Sequence, residues 1–245
     1  MINKIVIGWD SREDIAYQVC KASIKNNTML PLKIVPLKQR ILREEGIYKR
    51  EYKINEHGQK IDKSDGKPFS TEFSFTRFTI PFLSNTGWVL FCDCDMLFRS
   101  DISELIEHID NKYAVMVVKH NHVPTETLKM DGQSQSHYSR KNWSSFVLWN
   151  IDHPANSNLT IRDINNKSGS WLHNFSWLDD DEIGELPIEW NWLEGYNDST
   201  IDPKNVHYTR GGPWFEDYQD VAYAEEWIKA RDKFLKENPT YEANR

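Results

Sequence analysis

Two carboxylates stand two residues apart in Phe91-Cys92-Asp93-Cys94-Asp95-Met96, immediately after the apolar run Trp88–Cys92. In extended chain alternate side chains share a face, so Asp93 and Asp95 point one way and Cys92 and Cys94 the other. Two like charges at the end of a buried strand need compensation, because otherwise one of them titrates upward. A divalent cation supplies it. Carboxylate oxygens suit Mg²⁺ or Mn²⁺, ions that complete their shells with water and substrate phosphates. The competing reading is a solvated turn whose acids cap the helix expected at 101–109. Tryptophan is the other conspicuous chemistry: eight of the ten lie between Trp143 and Trp227. Most belong in a core, yet such enrichment also suits stacking on a sugar ring or a base. The three cysteines, at 20, 92 and 94, offer no second thiol pair for zinc and read as reduced thiols packed near a strand end. Six Asn-x-Ser/Thr triplets read as accidents of an Asn-rich chain.

The elements that must position these residues follow from periodicity. Lys4–Ile7 is a β-branched run, Ser11 to Asp14 a polar turn with the spacing of a cap, and Ile15 to Ile24 an apolar helix face. Leu32–Leu37 reads as a strand that Pro31 and Pro36 confine to an edge. From Gln39 to Phe69 the chain is basic and polar, an excursion with a hairpin around Glu56-His57-Gly58. Phe73 to Leu83 is a helix broken near Pro81. Trp88–Cys92, Tyr113–Val118 and Phe146–Trp149 are buried strands, Ile183–Leu193 an extended loop, Val206–Tyr208 a short strand and Asp220–Leu235 a closing amphipathic helix. Alternating strands and helices predict an α/β sheet with its ligand at the carboxyl ends of the strands.

Composition narrows the classes. The chain has 245 residues and a formal net charge of −7, which fits one domain and makes it a poor candidate for general nucleic-acid binding, which needs a basic stripe. No apolar stretch is long enough to span a bilayer, and Met1-Ile2-Asn3-Lys4 lacks the features of a secretory signal. The expectation is a soluble cytoplasmic protein.

The order of these elements resembles the GT-A fold of nucleotide-sugar transferases. His207-Tyr208-Thr209-Arg210-Gly211-Gly212-Pro213-Trp214 sharpens this, because it resembles the His-x-Gly-x-x-Lys-Pro-Trp signature of glycosyltransferase family 8. His207, Pro213 and Trp214 match; Thr209 replaces the signature Gly and Gly212 the signature Lys. The resemblance implies a Mn²⁺ site, or Mg²⁺, at Asp93, Asp95 and His207, an imidazole favouring Mn²⁺. An ordinary buried histidine is the alternative for His207. The family's diphosphate-binding Lys is missing, leaving Arg210 or the Gly211-Gly212 amides to substitute. The resemblance further implies a nucleotide site at Gly8, Trp9, Asp10, Arg77 and Cys94, with Trp9 stacking and Asp10 accepting from the base. The alternative for Asp10 is a helix cap, and for Arg77 a surface ion pair. Sugar contacts are implied at Asp93, Asp181, Gly212 and Trp214, and catalytic support from Asp180, Asp181 and Arg77; for the acids a solvated turn competes. Trp143 stands where the family has an Asn, so that contact is not carried over. Pro187-Ile188-Glu189-Trp190-Asn191-Trp192 looks like part of a little-characterised bacterial set of transferase-like proteins sharing a Gly-Gly-Pro-Trp ending.

The resulting expectation is an α/β protein with one GT-A-type domain over 1–245. Its Rossmann-like half, 1–120, holds the nucleotide sugar on a mixed central sheet, and an irregular aromatic-rich half, 121–245, holds the acceptor. Its activity is metal-dependent, retaining transfer of a hexose from a UDP-sugar to a glycan or other hydroxyl acceptor. A sugar nucleotidyltransferase is disfavoured because Gly8-Trp9-Asp10-Ser11-Arg12 lacks the Gly-rich loop that cradles a triphosphate. A non-catalytic carbohydrate-binding protein would leave the Asp-x-Asp unexplained.

Overall fold

A computed structural model of the protein describes residues 2–121 and 140–242. The rest of the expected acceptor half, 122–139 and 243–245, lies outside the described residues. The β-branched start forms β1 (Ile2–Gly8), with Ile5, Val6 and Ile7 buried. A 3-10 turn at Ser11–Glu13 leads into α1 (Asp14–Asn27), which buries Ala16, Val19, Cys20 and Ile24. The cap expected between Ser11 and Asp14 does not form. Asp10 caps the turn instead, accepting from the Arg12 N–H at 2.9 Å, while Ser11 Oγ donates to Glu72. β2 (Lys33–Leu37) is an edge strand, where Pro36 costs no ladder bond on the open side.

The excursion is ordered. It runs through α2 (Gln39–Glu44) into a hairpin of β3 (Tyr52–Ile54) and β4 (Lys60–Asp62). Gly58 sits in its turn at φ 74°, a left-handed conformation that favours glycine. The hairpin is fastened by a buried ion pair, Arg50 Nη2 to Asp62 Oδ2 at 2.6 Å, and Arg50 also donates to the Ile164 carbonyl at 2.9 Å. Removing either partner would strand a buried charge, at about 3–5 kcal/mol. The helix expected over Phe73 to Leu83 is a 3-10 helix, Thr76–Phe82, with Pro81 in its last turn.

β5 (Trp88–Cys92) is buried at every position, as its unbroken apolar run requires. β6 (Met96–Phe98) follows at once, and a 3-10 helix at Ile102–His108 is capped by Asp101. β7 (Val115–Val117) and β8 (Phe146–Asn150) complete the expected buried strands. α3 (Ile161–Asn166) and α4 (Gly169–His173) are short. The stretch expected as an extended loop holds β9 (Ile183–Glu185), a 3-10 turn at Ile188–Asn191 and β10 (Trp192–Leu193). β11 (Asn205–His207) and α5 (Ala224–Glu237) close the chain.

The main sheet has six strands in the order β2-β1-β5-β8-β7-β9. β1 runs parallel to β2 and β5, β8 runs antiparallel to β5 and β7, and β7 is parallel to β9. The sheet is therefore mixed, and it draws strands from both halves of the chain. A second sheet, β10-β11-β6, packs its apolar side against α1 and α5 through Val19, Leu97, Trp192, Val206, Tyr208 and Trp227. Among the described residues no helix is long and apolar enough to cross a membrane.

Candidate active site

Asp93 and Asp95 lie just past β5, and His207 ends β11. The small sheet is what joins them. β11 lies antiparallel to β6 with His207 opposite Met96, and the Tyr208 N–H donates to the Asp95 carbonyl at 2.9 Å. One ligating atom from each of Asp93, Asp95 and His207 then falls within 4.8 Å of the others. The imidazole is 2% exposed, whereas the carboxylates of Asp93 and Asp95 are 13% and 20% open to the cavity they line. His207 Nε2 stands 3.4 Å from Asp95 Oδ1, and Nδ1 stands 2.9 Å from Asn191 Oδ1. Two carboxylates and an imidazole nitrogen form a donor set that could hold a divalent cation.

The cavity around this cluster is lined by Arg77, Ser144, Ser145 and His173, by Phe69 at the end of the excursion and by Phe75 just before the 3-10 helix. Arg77 is buried, so the surface ion pair considered for it is excluded. Its Nη1 lies 2.9 Å from Asp93 Oδ1 and donates to the Ser144 carbonyl at 2.9 Å. The guanidinium thus offsets one of the two carboxylate charges. His173 Nδ1 is 2.7 Å from Ser144 Oγ, its ring edge-on to Phe78. A second cavity adjoins the first through Glu13, Ser70, Thr71, Asp95 and Thr209. Arg12, Arg210, Gly211 and Trp214 contribute to its wall.

No family model matches the sequence. The chain is 47% identical over 241 residues to Protein CDI of Arabidopsis thaliana, across 96% of this chain and 88% of that protein. The chain belongs to the Protein CDI family. Solved structures show which fold this CDI-family chain adopts. The glycosyltransferase GlyE of Streptococcus pneumoniae TIGR4 matches with a TM-score of 0.60 at 14% identity, over 98% of this chain and 64% of GlyE. The bifunctional glycosyltransferase WbbM matches at 0.57 and 16% identity over 96% of this chain, which spans about half of WbbM. The galactosyltransferase LgtC, solved with donor and acceptor sugar analogues, matches at 0.55 and 11% identity, over 94% of this chain and 95% of LgtC. The shared fold is GT-A, as the resemblance implied.

Within this CDI-family fold the expected site residues separate into two groups. Asp93, Asp95, His207 and Arg77 meet in one cavity, and Trp214 lines the adjoining one. The others are elsewhere. Trp9 and Asp10 do not line these cavities. Trp9 Nε1 donates to Asp14 Oδ1 at 2.7 Å, and Lys38 covers its ring at 4.2 Å. Asp10 is 0% exposed and accepts from the Arg12 N–H, the Arg12 guanidinium and the Glu72 N–H, so it acts as a cap here. Burial alone would raise its pKa; the Arg12 contacts outweigh burial and hold it below the usual carboxylate range. Gly8 backs onto the Phe73 ring, which a Cβ would approach to 2.6 Å, and this lets the segment before Thr76 lie over β1.

Cys94 faces the core, as period-two alternation demands, so its side chain cannot touch a nucleotide. Burial pushes its thiol well above the ordinary range. Gly212 lies beneath the Trp214 ring, where a Cβ would come within 2.0 Å. Asp180 and Asp181 occupy an exposed 3-10 turn outside both cavities, with Asp180 paired to Arg140. That turn is held by Asp179 N–H donating to Glu182 at 2.8 Å, and among the described residues the acids form a solvated turn. Ser170 and His173 on α4 line the first cavity. Arg210 does reach the second cavity but is paired to Glu194 at 3.1 Å. Sequence reasoning missed His173, Ser144 and Asn191. Asn191 and Ser144 carried a signal, Asn191 in the aromatic segment Pro187–Trp192 and Ser144 next to Trp143 at the family's Asn position.

Proposed function

We propose that the protein is a metal-dependent glycosyltransferase that moves a hexose from a UDP-sugar to a hydroxyl-bearing acceptor such as a glycan, with retention of configuration. The meeting of Asp93, Asp95 and His207 at a cavity of the GT-A fold carries this reading. These three residues would hold Mn²⁺, which when bound supplies Lewis-acid stabilisation of the leaving nucleotide diphosphate.

The chain's own residues do the positioning. Arg77 holds Asp93 in place and lends positive potential to a cavity that receives an anionic donor. Arg12 and Arg210, each paired to a carboxylate, line the second cavity, which supports assigning the diphosphate side of the donor to it, beside Asp95. The hydroxyls of Ser144, Ser145 and Ser170 and the amide of Asn142 line the first cavity and suit the hydroxyls of a sugar. Phe69, Phe73 and Phe75 give that sugar an apolar wall. The donor half supplies β1, β5 and the carboxylates; the acceptor half closes the site through α4 and β11.

Isothermal titration of the protein with UDP, with and without Mn²⁺, tests the reading. Metal-dependent UDP binding is expected, followed by UDP release from one member of a panel of UDP-sugars. Glycan binding with no dependence on nucleotide or metal would instead make it a carbohydrate-binding protein.

A further inference from the structure

His207 reaches the cavity with one ring nitrogen, and a neutral imidazole has its lone pair on only one nitrogen at a time. Which nitrogen carries the proton is decided by a chain of hydrogen bonds behind the ring. The chain starts at the backbone carbonyl of Asn142, a residue in the left-handed region at φ 65°. A carbonyl only accepts. Ser145 Oγ, 2.6 Å away, must therefore donate its proton to it. Having spent that proton, Ser145 Oγ can only accept from Asn191 Nδ2, at 3.0 Å. Asn191 Nδ2 also points at the Asn142 carbonyl, at 3.3 Å. The Asn191 amide is thus fixed with its NH₂ towards Ser145 and its oxygen towards His207. The Asn191 oxygen accepts, so His207 Nδ1, at 2.9 Å, must be the protonated nitrogen. Nε2 then keeps its lone pair on the side of Asp95, 3.4 Å away.

We infer that Asn191 is a positioning residue that sets the tautomer of His207 and so presents Nε2 as a ligand, an inference whose metal-binding consequence rests on the function proposed above. Asn191 is 0% exposed, and it is set on the 3-10 turn before β10 with no contact of its own to Asp93 or Asp95 among the bonds described. Its influence on the site passes through the imidazole. Ser145 ties the same chain to the carboxylates, because its carbonyl accepts from the Asp93 N–H at 2.9 Å. Partners behind a ligating histidine commonly change metal affinity by about 10–100-fold.

Long-range ¹⁵N–¹H NMR of the full chain, metal-free and at about pH 8, above the ordinary range of imidazoles, reads the tautomer directly. His207 should show the Nδ1–H form in the parent protein and in Asn191→Asp, whose carboxylate still accepts from Nδ1. Asn191→Leu should convert it to a mixture or to Nε2–H. Mn²⁺ affinity from electron paramagnetic resonance should fall about 10–100-fold in Asn191→Leu. The same change made in a His207→Ala background should have no further effect. An Nε2–H parent, or a tautomer unchanged in Asn191→Leu, overturns the inference, and Asn191→Ala, which also removes the acceptor, makes the same comparison should the Leu variant not fold. The expected tautomers with no Mn²⁺ binding by the parent would uphold the role of Asn191 and overturn the metal site.

Discussion

Arg77 and Asp93 form an ion pair in the wall of the cavity, Nη1 lying 2.9 Å from Oδ1, with 8% and 13% of their side chains exposed. The guanidinium also donates to the carbonyls of Ser144, at 2.9 Å, and Phe73, at 3.3 Å. One side chain therefore links the 3-10 helix, the Asp-x-Asp motif and the segment leading into β8. A planar fork can serve three acceptors at once, and an ammonium cannot match those directions.

Arg77→Lys should accordingly lower both stability and turnover. The cost in stability should be about 1.5–3 kcal/mol, the scale of a hydrogen bond to a charged group. Denaturant titration beside an assay of UDP release measures the two effects. A variant with parental stability and turnover would mean that the fork geometry is irrelevant.

The two carboxylates should differ from each other. Asp93→Asn leaves the buried Arg77 without its counter-charge, whereas Asp95→Asn does not. Both should lose metal-dependent UDP affinity, but in the absence of metal Asp93→Asn should melt at the lower temperature. His207→Ala should weaken Mn²⁺ binding less than either, since a neutral ligand adds no Coulombic attraction. Calorimetric titration and melting curves on the three variants decide it, and equal melting of the two Asn variants would refute the asymmetry.

Asp10 should make stability pH-dependent in a definite direction. Its folded pKa is held below that of the unfolded chain, so the stabilisation is complete above about pH 4 and is lost as pH falls through the folded value. Asp10→Asn should cost about 1.5–3 kcal/mol at neutral pH. The gap between parent and variant should close on acidification. Urea unfolding at a series of pH values from neutral to acid tests this, and a gap that stays constant or widens in acid contradicts it.

The thiols should be inert in the folded chain. Cys20, Cys92 and Cys94 are free and buried, and burial pushes Cys20 and Cys94 well above the ordinary thiol range. Iodoacetamide should leave all of them unmodified in buffer and alkylate all of them in denaturant, as read by intact mass. Rapid alkylation of Cys94 under native conditions would place it on an open surface.

What the sequence determined by itself was local. An unbroken apolar run followed by alternating acids makes Trp88–Cys92 a buried strand that must turn Asp93 and Asp95 one way and the thiols the other, whatever the rest of the chain does. The edge strand at Leu32–Leu37, the hairpin turn at Gly58 and the closing helix are legible for the same reason: proline, glycine and periodicity act within a few residues. Tertiary structure decided what depends on partners far along the chain. Asp10 and the acids at 180–181 have the right chemistry, but Arg12 and Glu72 consume the first, and Arg140 pairs with Asp180 on a solvated turn. His207 reaches Asp95 only because β11 pairs with β6, and its tautomer is set by Asn191, Ser145 and the Asn142 carbonyl. Residue type is written in the sequence, but which acceptor meets which donor is a property of the packed chain, because buried polar groups must be satisfied by whatever the fold brings within about 3 Å.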